Sequence, residues 1–179
     1  MVKKILLALL AVIAILIGLI VAQPASYKVV RSTTINAPQA EVFALINDFH
    51  GWDKWSPWAK LDPNMKTTYS GAGSGPGAAY HWVGNNDVGE GRMTITESKP
   101  GELVRMKLDF LKPFPSTSTA EFALKPEGSG TALTWTMLGK ANFMMKCMGL
   151  IMNCDKMVGG QFEQGLTNLR SIVEPASKS

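Results

Sequence analysis

The chain has 179 residues, a mass of 19.4 kDa and a net charge of +4. Charged residues make up 18 % of it, below the average of about 25 %, which excludes disorder over most of the length. Lys3 and Lys4 carry two of the four net charges, so the remainder lacks the basic excess of a nucleic-acid-binding protein. We therefore predict no nucleic-acid partner.

An uncharged apolar stretch of 18 residues begins at Ile5 and ends at Ala22. As a helix it spans about 27 Å, close to the roughly 30 Å of a bilayer's hydrocarbon core. Basic residues before it also fit a cleavable signal peptide, but the stretch is long for a signal core and no A-x-A-like cleavage site follows. The sequence favours an uncleaved membrane anchor over residues 1–22, with a signal sequence as the alternative.

The rest of the chain forms one domain. Residues 27–174 are long enough for a single hydrophobic core and too short for two ordinary domains. Residues 23–26 are a linker of at most about 14 Å, and residues 175–179 are a tail. Positive charge before the anchor predicts a single-pass protein of the plasma (inner) membrane, with the domain on the periplasmic or extracellular side.

The secondary structure follows from turn residues and hydrophobic alternation. A strand over residues 27–35 precedes a short helix that begins at Pro38 and ends near Asp48. A tryptophan-rich helical turn comes next, and clusters of Gly, Pro, Asn and Asp then punctuate an antiparallel meander. Its strands cover residues 65–70, 78–83, 89–98, 103–110, 117–125 and 131–139. An amphipathic helix runs from Asp155, as its N-cap, to Glu174.

The alternation of apolar and polar residues assigns one face of each strand to the interior. The large side chains on this face are aromatic rings and methionines, and methionine adapts to irregular space and varied guests. Glycines in the C-terminal helix are expected to leave further volume. The inward residues are Tyr80, Trp82, Met93, Met106, Phe110, Phe122, Trp135 and Met137.

Four motifs resemble the START-like superfamily, also called SRPBCC or polyketide cyclase/dehydrase-like. They are Ile-Asn-Ala-Pro-x-x-x-Val-Phe at residues 35–43, Asn-Asp-Phe-x-x-Trp-x-x-Trp-Ser-Pro-Trp at 47–58, Gly-x-Gly-x-x-Tyr-x-Trp-x-Gly at 75–84 and Phe-Glu-x-Gly-Leu-x-Asn-Leu at 162–169. The second motif resembles a bacterial subgroup of this superfamily.

The resemblance implies an α+β helix-grip fold, in which a seven-stranded antiparallel sheet wraps around a long C-terminal helix. It also implies a deep apolar cavity for a lipid, sterol, polyketide or other hydrophobic molecule, without implying a reaction. To the eight inward residues we add Met148 and Phe162 as candidate ligand contacts.

Residues suited to catalysis or metal binding are few. His50, Asp48 and Asp53 are the nearest approach to a general acid/base cluster, but we expect Asp48 to cap a helix end and Asp53 to face solvent. His81 falls on the outward face. We predict no catalytic residue, no metal site and no cofactor, and we interpret the glycine-rich residues 71–77 as a hairpin loop instead of a phosphate-binding loop.

Three functions remain open at this stage. The first is non-catalytic binding of a hydrophobic small molecule or lipid, and the second is a cyclase- or dehydratase-type enzyme that uses the same cavity. The third is a partner-binding or envelope-assembly protein in which the cavity is closed and exposed Trp52, Trp55 and Trp58 form the interface with an unknown protein. Residues 142–153 are rich in methionine, which predicts a segment that faces the membrane. We expect Cys147 and Cys154 to be free thiols.

Overall fold

The computed structural model describes residues 1–150 and 153–174, the side chain of Cys154 excepted. Helix α1 (Val2–Ala22) and strand β1 (Ser26–Ile35) precede helix α2 (Gln39–Asn47), a 3₁₀ helix (Phe49–Lys54) and the single-turn helix α3 (Trp58–Leu61). The next strands are β2 (Lys66–Gly71), β3 (Ala78–Val83), β4 (Glu90–Lys99), β5 (Leu103–Lys112), β6 (Ser116–Glu127) and β7 (Gly130–Lys140). Helices α4 (Phe143–Gly149) and α5 (Cys154–Val173) follow.

The seven strands form one antiparallel sheet in the order β1-β7-β6-β5-β4-β3-β2. Consecutive strands from β2 to β7 are neighbours, and β1 joins the edge beside β7. Each strand lies within two residues of its predicted ends. The predicted α+β helix-grip fold is confirmed.

One face of the sheet is covered by α2, the 3₁₀ helix and α5. The strand register places Phe122 opposite Trp135 and Met106 opposite Ala120, so the inward side chains of neighbouring strands meet on a common face. From α5, Phe162 and Leu169 pack into the same core. The predicted inward face is thus the face that packs against the helices.

Helix α5 begins two residues earlier than the sequence indicated. The Oδ1 atom of Asn153 accepts a hydrogen bond of 3.1 Å from the backbone N–H of Lys156, which makes Asn153 the N-cap. The prediction of Asp155 as N-cap is therefore wrong. Asp155 lies in the first turn, where a carboxylate is favourable beside the helix N-terminus and can also reach Arg31.

Helix α1 stands apart from the domain core. None of its 21 residues is buried, and all of them after Lys4 are uncharged. It is long and apolar enough to cross a membrane, a property that a signal sequence near the N-terminus shares. At its C-terminal end it contacts α4.

Candidate ligand-binding interior

Three tryptophans spaced three residues apart enter the interior from one short segment. Trp52 lies in the 3₁₀ helix, Trp55 is the C-cap of that helix and Trp58 is the first residue of α3. Trp52 is 5 % exposed and Trp55 is fully buried, while Trp58 is half-buried. The indole N–H groups of Trp52 and Trp55 donate to the carbonyls of Ile46 and Leu45. The predicted exposed tryptophan patch is therefore wrong.

Trp135 of β7 lies at the centre of the aromatic cluster. Its ring stacks on Phe162 of α5 with centroids 3.9 Å apart and planes at 6°. Phe122 approaches its ring to 4.6 Å, and Trp55 and Trp58 meet it edge-on at 5.7 and 5.9 Å. Its Nε1 atom is buried and has no hydrogen-bond partner in the part of the chain that the structure describes.

A second aromatic group extends the inner face toward β3. Tyr80 and Trp82 are stacked at 5.9 Å, and Phe110 meets Trp82 edge-on at 6.2 Å. Gly91 of β4 lies opposite Trp82, where a Cβ atom would come within 2.4 Å of the indole ring. Burial raises the pKa of Tyr80 to about 12, so its hydroxyl is protonated at neutral pH.

Glycines of α5 do not leave the volume that the sequence suggested. A Cβ atom on Gly165 would lie 2.9 Å from Cζ3 of Trp135, and one on Gly159 would overlap the guanidinium of Arg31. These residues are small because other side chains occupy the space beside them. Arg31 and Trp135 thus occupy the space beside these two glycines, where the sequence analysis expected free volume.

The structure brings nine of the ten candidate ligand contacts to one face. Phe162 reaches it from α5 and the others come from strands. Met148 is the exception, because it lies on α4 with 38 % of its surface exposed. The nine are Tyr80, Trp82, Met93, Met106, Phe110, Phe122, Trp135, Met137 and Phe162.

Polar groups on the inner face are few and mostly paired. Ser118 shares a hydrogen bond of 2.8 Å with the hydroxyl of Tyr27, and Thr131 donates to the carbonyl of Ala37. In strands β3 to β7, all of which the structure describes, Tyr80 is the one ionisable side chain with inward register. On the two remaining strands, Arg31 of β1 lies opposite Trp135 and Tyr69 of β2 lies opposite Tyr80. The inner face can therefore hold an apolar molecule, and its one basic group, Arg31, is ion-paired with Asp155 and Glu163 of α5.

The candidate acid/base residues lie outside this interior. Asp48 caps the 3₁₀ helix by accepting from the backbone N–H of His50, as expected. Partial burial opposes ionisation of Asp48, but hydrogen bonds from the backbone and ring of His50 lower its pKa. Asp53 is exposed. Residues 71–77 form the expected hairpin loop between β2 and β3.

His81 lies on the outer face of the sheet, as its position in β3 indicated. There it lines an open depression of about 540 Å³ together with Arg92, Asp109 and Thr117. These four residues come from β3, β4, β5 and β6. Among the residues described by the structure, no group of three or more His, Cys, Asp and Glu side chains is arranged to hold a metal ion.

An ion-pair cluster between β1 and α5 escaped the sequence analysis. Arg31 Nε donates to Glu163 at 2.6 Å, and Arg31 Nη1 donates to Asp155 at 3.0 Å. The guanidinium crosses under the helix beside Gly159. We call Arg31, Asp155 and Glu163 the α5 clasp. In the sequence, only the single arginine in a strand rich in β-branched residues could have indicated this cluster.

Comparison with known proteins agrees with this architecture. Residues 26–174 match the model of the family described as polyketide cyclase / dehydrase and lipid transport. The chain belongs to this family. None of the curated proteins matches it at a significant level.

Solved structures share the fold at low sequence identity. A protein from Chromobacterium violaceum is 18 % identical with a TM-score of 0.60, over 86 % of this chain and 99 % of its own. Ara h 8.0201 is 12 % identical with a TM-score of 0.55, over 82 % and 99 %. The di-domain ARO/CYC StfQ from the steffimycin biosynthetic pathway is 10 % identical with a TM-score of 0.61, over 84 % of this chain and 51 % of its own.

Proposed function

We propose that this family member is a membrane-tethered domain that binds an apolar small molecule or lipid between the sheet and α5 and catalyses no reaction. The family description joins cyclases, dehydrases and lipid transport, activities whose substrates or cargo are hydrophobic. The inner face of this chain, lined with aromatic rings and methionines, suits such a molecule.

The observation that carries the proposal is the unpartnered indole N–H of Trp135. This residue is 3 % exposed, and its Nε1 donates to no acceptor among residues 1–150 and 153–174. A buried donor without an acceptor costs about 1–3 kcal/mol. A ligand that offers an oxygen atom to this N–H removes that cost. The ligand class is therefore an apolar body with at least one carbonyl, carboxyl, hydroxyl or ether oxygen.

Binding requires the aromatic cluster to open. Trp135 lies between Phe162 on the helix side and Phe122 on the sheet side. A ligand that enters between α5 and the sheet separates Trp135 from Phe162, and α5 moves outward. The α5 clasp opposes this movement because it fastens the N-terminal half of α5 to β1.

A cyclase- or dehydratase-type reaction has less support from the same interior. General acid/base catalysis at neutral pH is most efficient with groups whose pKa lies near 7. On the inward face, burial raises the pKa of Tyr80 to about 12, and hydrogen bonds to Asp155 and Glu163 raise the pKa of Arg31 further above neutrality. Binding without chemistry is the function that this face supports best.

A fluorescent fatty acid tests the proposal directly. The full chain in detergent is titrated with cis-parinaric acid, and binding is followed by energy transfer from tryptophan. Trp135→Phe keeps an aromatic ring but removes the N–H. We expect its affinity to fall by about 5- to 10-fold, the equivalent of one hydrogen bond.

The control is Trp52→Phe. Its N–H already donates to the carbonyl of Ile46 at 3.0 Å and is not available to a ligand. We expect Trp52→Phe to bind cis-parinaric acid with unchanged affinity. Equal affinities of wild type, Trp135→Phe and Trp52→Phe would remove Trp135 from the site, and no energy transfer in the wild type would contradict binding of this ligand class.

A further inference from the structure

One end of the sheet lies beside the exit of α1. Strand β1 starts at Ser26, four residues after α1 ends at Ala22. The antiparallel register aligns Ser26 with Lys140 at the end of β7, Ser118 of β6 with Gly139, and Phe110 of β5 with Ser116. The turn from β5 to β6 therefore lies at the same end as α1. We call this the α1-proximal end.

Exposed apolar side chains concentrate at the α1-proximal end. Phe143 is 58 % exposed, Met144 44 % and Phe114 41 %. They belong to α4 and to the β5–β6 turn, which are distant in sequence but lie at the same end of the sheet. The exposed large apolar residues at this end are Val83, Leu111, Phe114, Leu138, Phe143, Met144, Met148 and Leu150.

Helix α4 is fixed against the end of α1. The Nζ atom of Lys146 donates to the carbonyl of Gln23 at 2.8 Å and to that of Val21 at 3.3 Å. A positive charge is favourable at a helix C-terminus, where carbonyls lack partners in the helix. Ala141 N–H adds a bond of 2.9 Å to the carbonyl of Ala25. The exposed face of α4 is thus held at the level where α1 leaves the bilayer.

Basic residues accompany the apolar ones. Lys28, Lys66 and Lys140 are exposed and lie within three residues of the strand ends at the α1-proximal end, whereas Lys112 at the same end is ion-paired with Glu90 at 2.7 Å. Lysine near a membrane surface is attracted to anionic phosphates by about 1 kcal/mol per residue. Apolar side chains amid basic residues are characteristic of surfaces that rest in the interfacial region of a bilayer.

We propose that the α1-proximal end docks onto the phospholipid surface that α1 enters. Phe143 and Met144 of α4 and Leu111 and Phe114 of the β5–β6 turn insert among the headgroups. The turn could not be assigned to this surface from the sequence, because only the strand register shows that it lies at the same end of the sheet as α4. The inference rests on the membrane anchoring by α1 in the proposed function, and is independent of ligand binding.

Depth-dependent quenching tests the docking in the full chain. Cys147→Ser and Cys154→Ser provide a background to which Phe114→Cys or Met144→Cys is added. Each variant is labelled with the fluorophore NBD and reconstituted into vesicles of phosphatidylcholine and phosphatidylglycerol. Lipids with a spin label at carbon 5 of the acyl chain should quench the fluorescence of both probes by at least half. The emission of both probes should also shift to the blue when the chain is reconstituted into vesicles.

Ile172→Cys is the matched control. Ile172 is 42 % exposed, close to Met144 in exposure, but lies near the opposite end of the sheet, where Asn36 N–H donates to Glu174. Its probe should not be quenched. Probes at positions 114 and 144 that behave like the probe at 172 would overturn the docking while the chain still floats with the vesicles. A chain that does not float would overturn the anchor and the docking together, whereas cis-parinaric acid binding in detergent reports on neither.

Discussion

Trp135 differs from its aromatic neighbours in one respect, the state of its indole N–H. Trp52, Trp55 and Trp82 donate to the backbone carbonyls of Ile46, Leu45 and Val88. Trp135 alone among these four tryptophans has a buried N–H without an acceptor among the described residues. Buried polar groups of folded proteins are nearly always paired, so this residue is the place where a ligand gains most.

The pairing difference predicts a difference in stability. Trp135→Phe and Trp52→Phe delete the same volume from the core, but only Trp52→Phe also leaves a carbonyl, that of Ile46, without its donor. We expect Trp52→Phe to lower the free energy of unfolding by about 1–2 kcal/mol more than Trp135→Phe. Urea denaturation of the ligand-free chain in detergent measures both values. An equal loss would indicate that the N–H of Trp135 is satisfied in solution.

At the scale of elements, α5 is held to β1 by the α5 clasp, and Gly159 makes room for it. A glycine inside a helix costs about 1 kcal/mol relative to alanine. Gly160 is a matched control, because a Cβ atom there meets nothing within 4 Å, whereas at Gly159 it would lie 1.9 Å from Nη2 of Arg31. Comparing alanine substitutions at these two adjacent glycines therefore separates the effect of helix propensity on stability from the effect of the α5 clasp.

Alanine substitutions test this separation. Gly160→Ala should raise the free energy of unfolding by up to about 1 kcal/mol. Gly159→Ala should show no such gain, because the new methyl group displaces the guanidinium from Asp155 and Glu163. In an Arg31→Ala background, Gly159→Ala should become as stabilising as Gly160→Ala. A gain from Gly159→Ala in the wild-type background would show that the clasp contributes nothing.

The clasp also predicts a pH dependence. The hydrogen bond from Arg31 lowers the pKa of Asp155 below its ordinary value of 3.8, although burial acts in the opposite direction. A carboxyl group whose pKa is lower in the folded state contributes stability above its unfolded-state pKa and loses it as the pH falls through the folded-state pKa. The contribution of Asp155 is thus complete at pH 7, declines as the pH falls below about 4 and is lost below the folded-state pKa.

Thermal unfolding across pH measures this contribution. At pH 7, Asp155→Asn should have a lower Tm than the wild type, because Arg31 loses a charged partner. The gap between the two Tm values should close as the pH is lowered below about 4. A gap that stays constant down to pH 2 would show that the charge of Asp155 does not cause the effect of the substitution.

The elements could be predicted from sequence to a greater extent than the interior. Strand ends were marked by local turn residues, and alternation identified Trp135 and Phe122 as inward. The N-cap was misplaced because Asn153 and Asp155 are both good capping residues two positions apart, and only the helix geometry separates them. The glycines were misread because the groups beside them, Arg31 and Trp135, come from distant strands that local patterns do not connect to α5.

At the scale of the whole molecule, the anchor and the domain act as one unit. Helix α4 contacts the end of α1, so in the membrane-anchored form that we propose the domain would lie at the bilayer surface. A hydrophobic ligand could then pass between the bilayer and the interior without crossing bulk water. The function therefore depends on the side of the membrane on which the domain lies.

The charge at Lys3 and Lys4 predicts that this side is the outer one. Alkaline phosphatase folds into its active form only outside the cytoplasm, so a fusion after Ser179 should be active in a bacterial host. A green fluorescent protein fusion at the same position should be dark when exported through the general secretory route. The reverse pair of results would place the domain in the cytoplasm.

The central claim is that the interior holds an apolar ligand with an acceptor oxygen. Native mass spectrometry of the full chain, purified in mild detergent from its own host, tests it most directly. We expect an adduct of a few hundred daltons on the wild-type chain and on Trp52→Phe, and its loss or strong reduction on Trp135→Phe. A wild-type chain observed only at its bare mass, or an adduct retained equally by Trp135→Phe, would contradict the account.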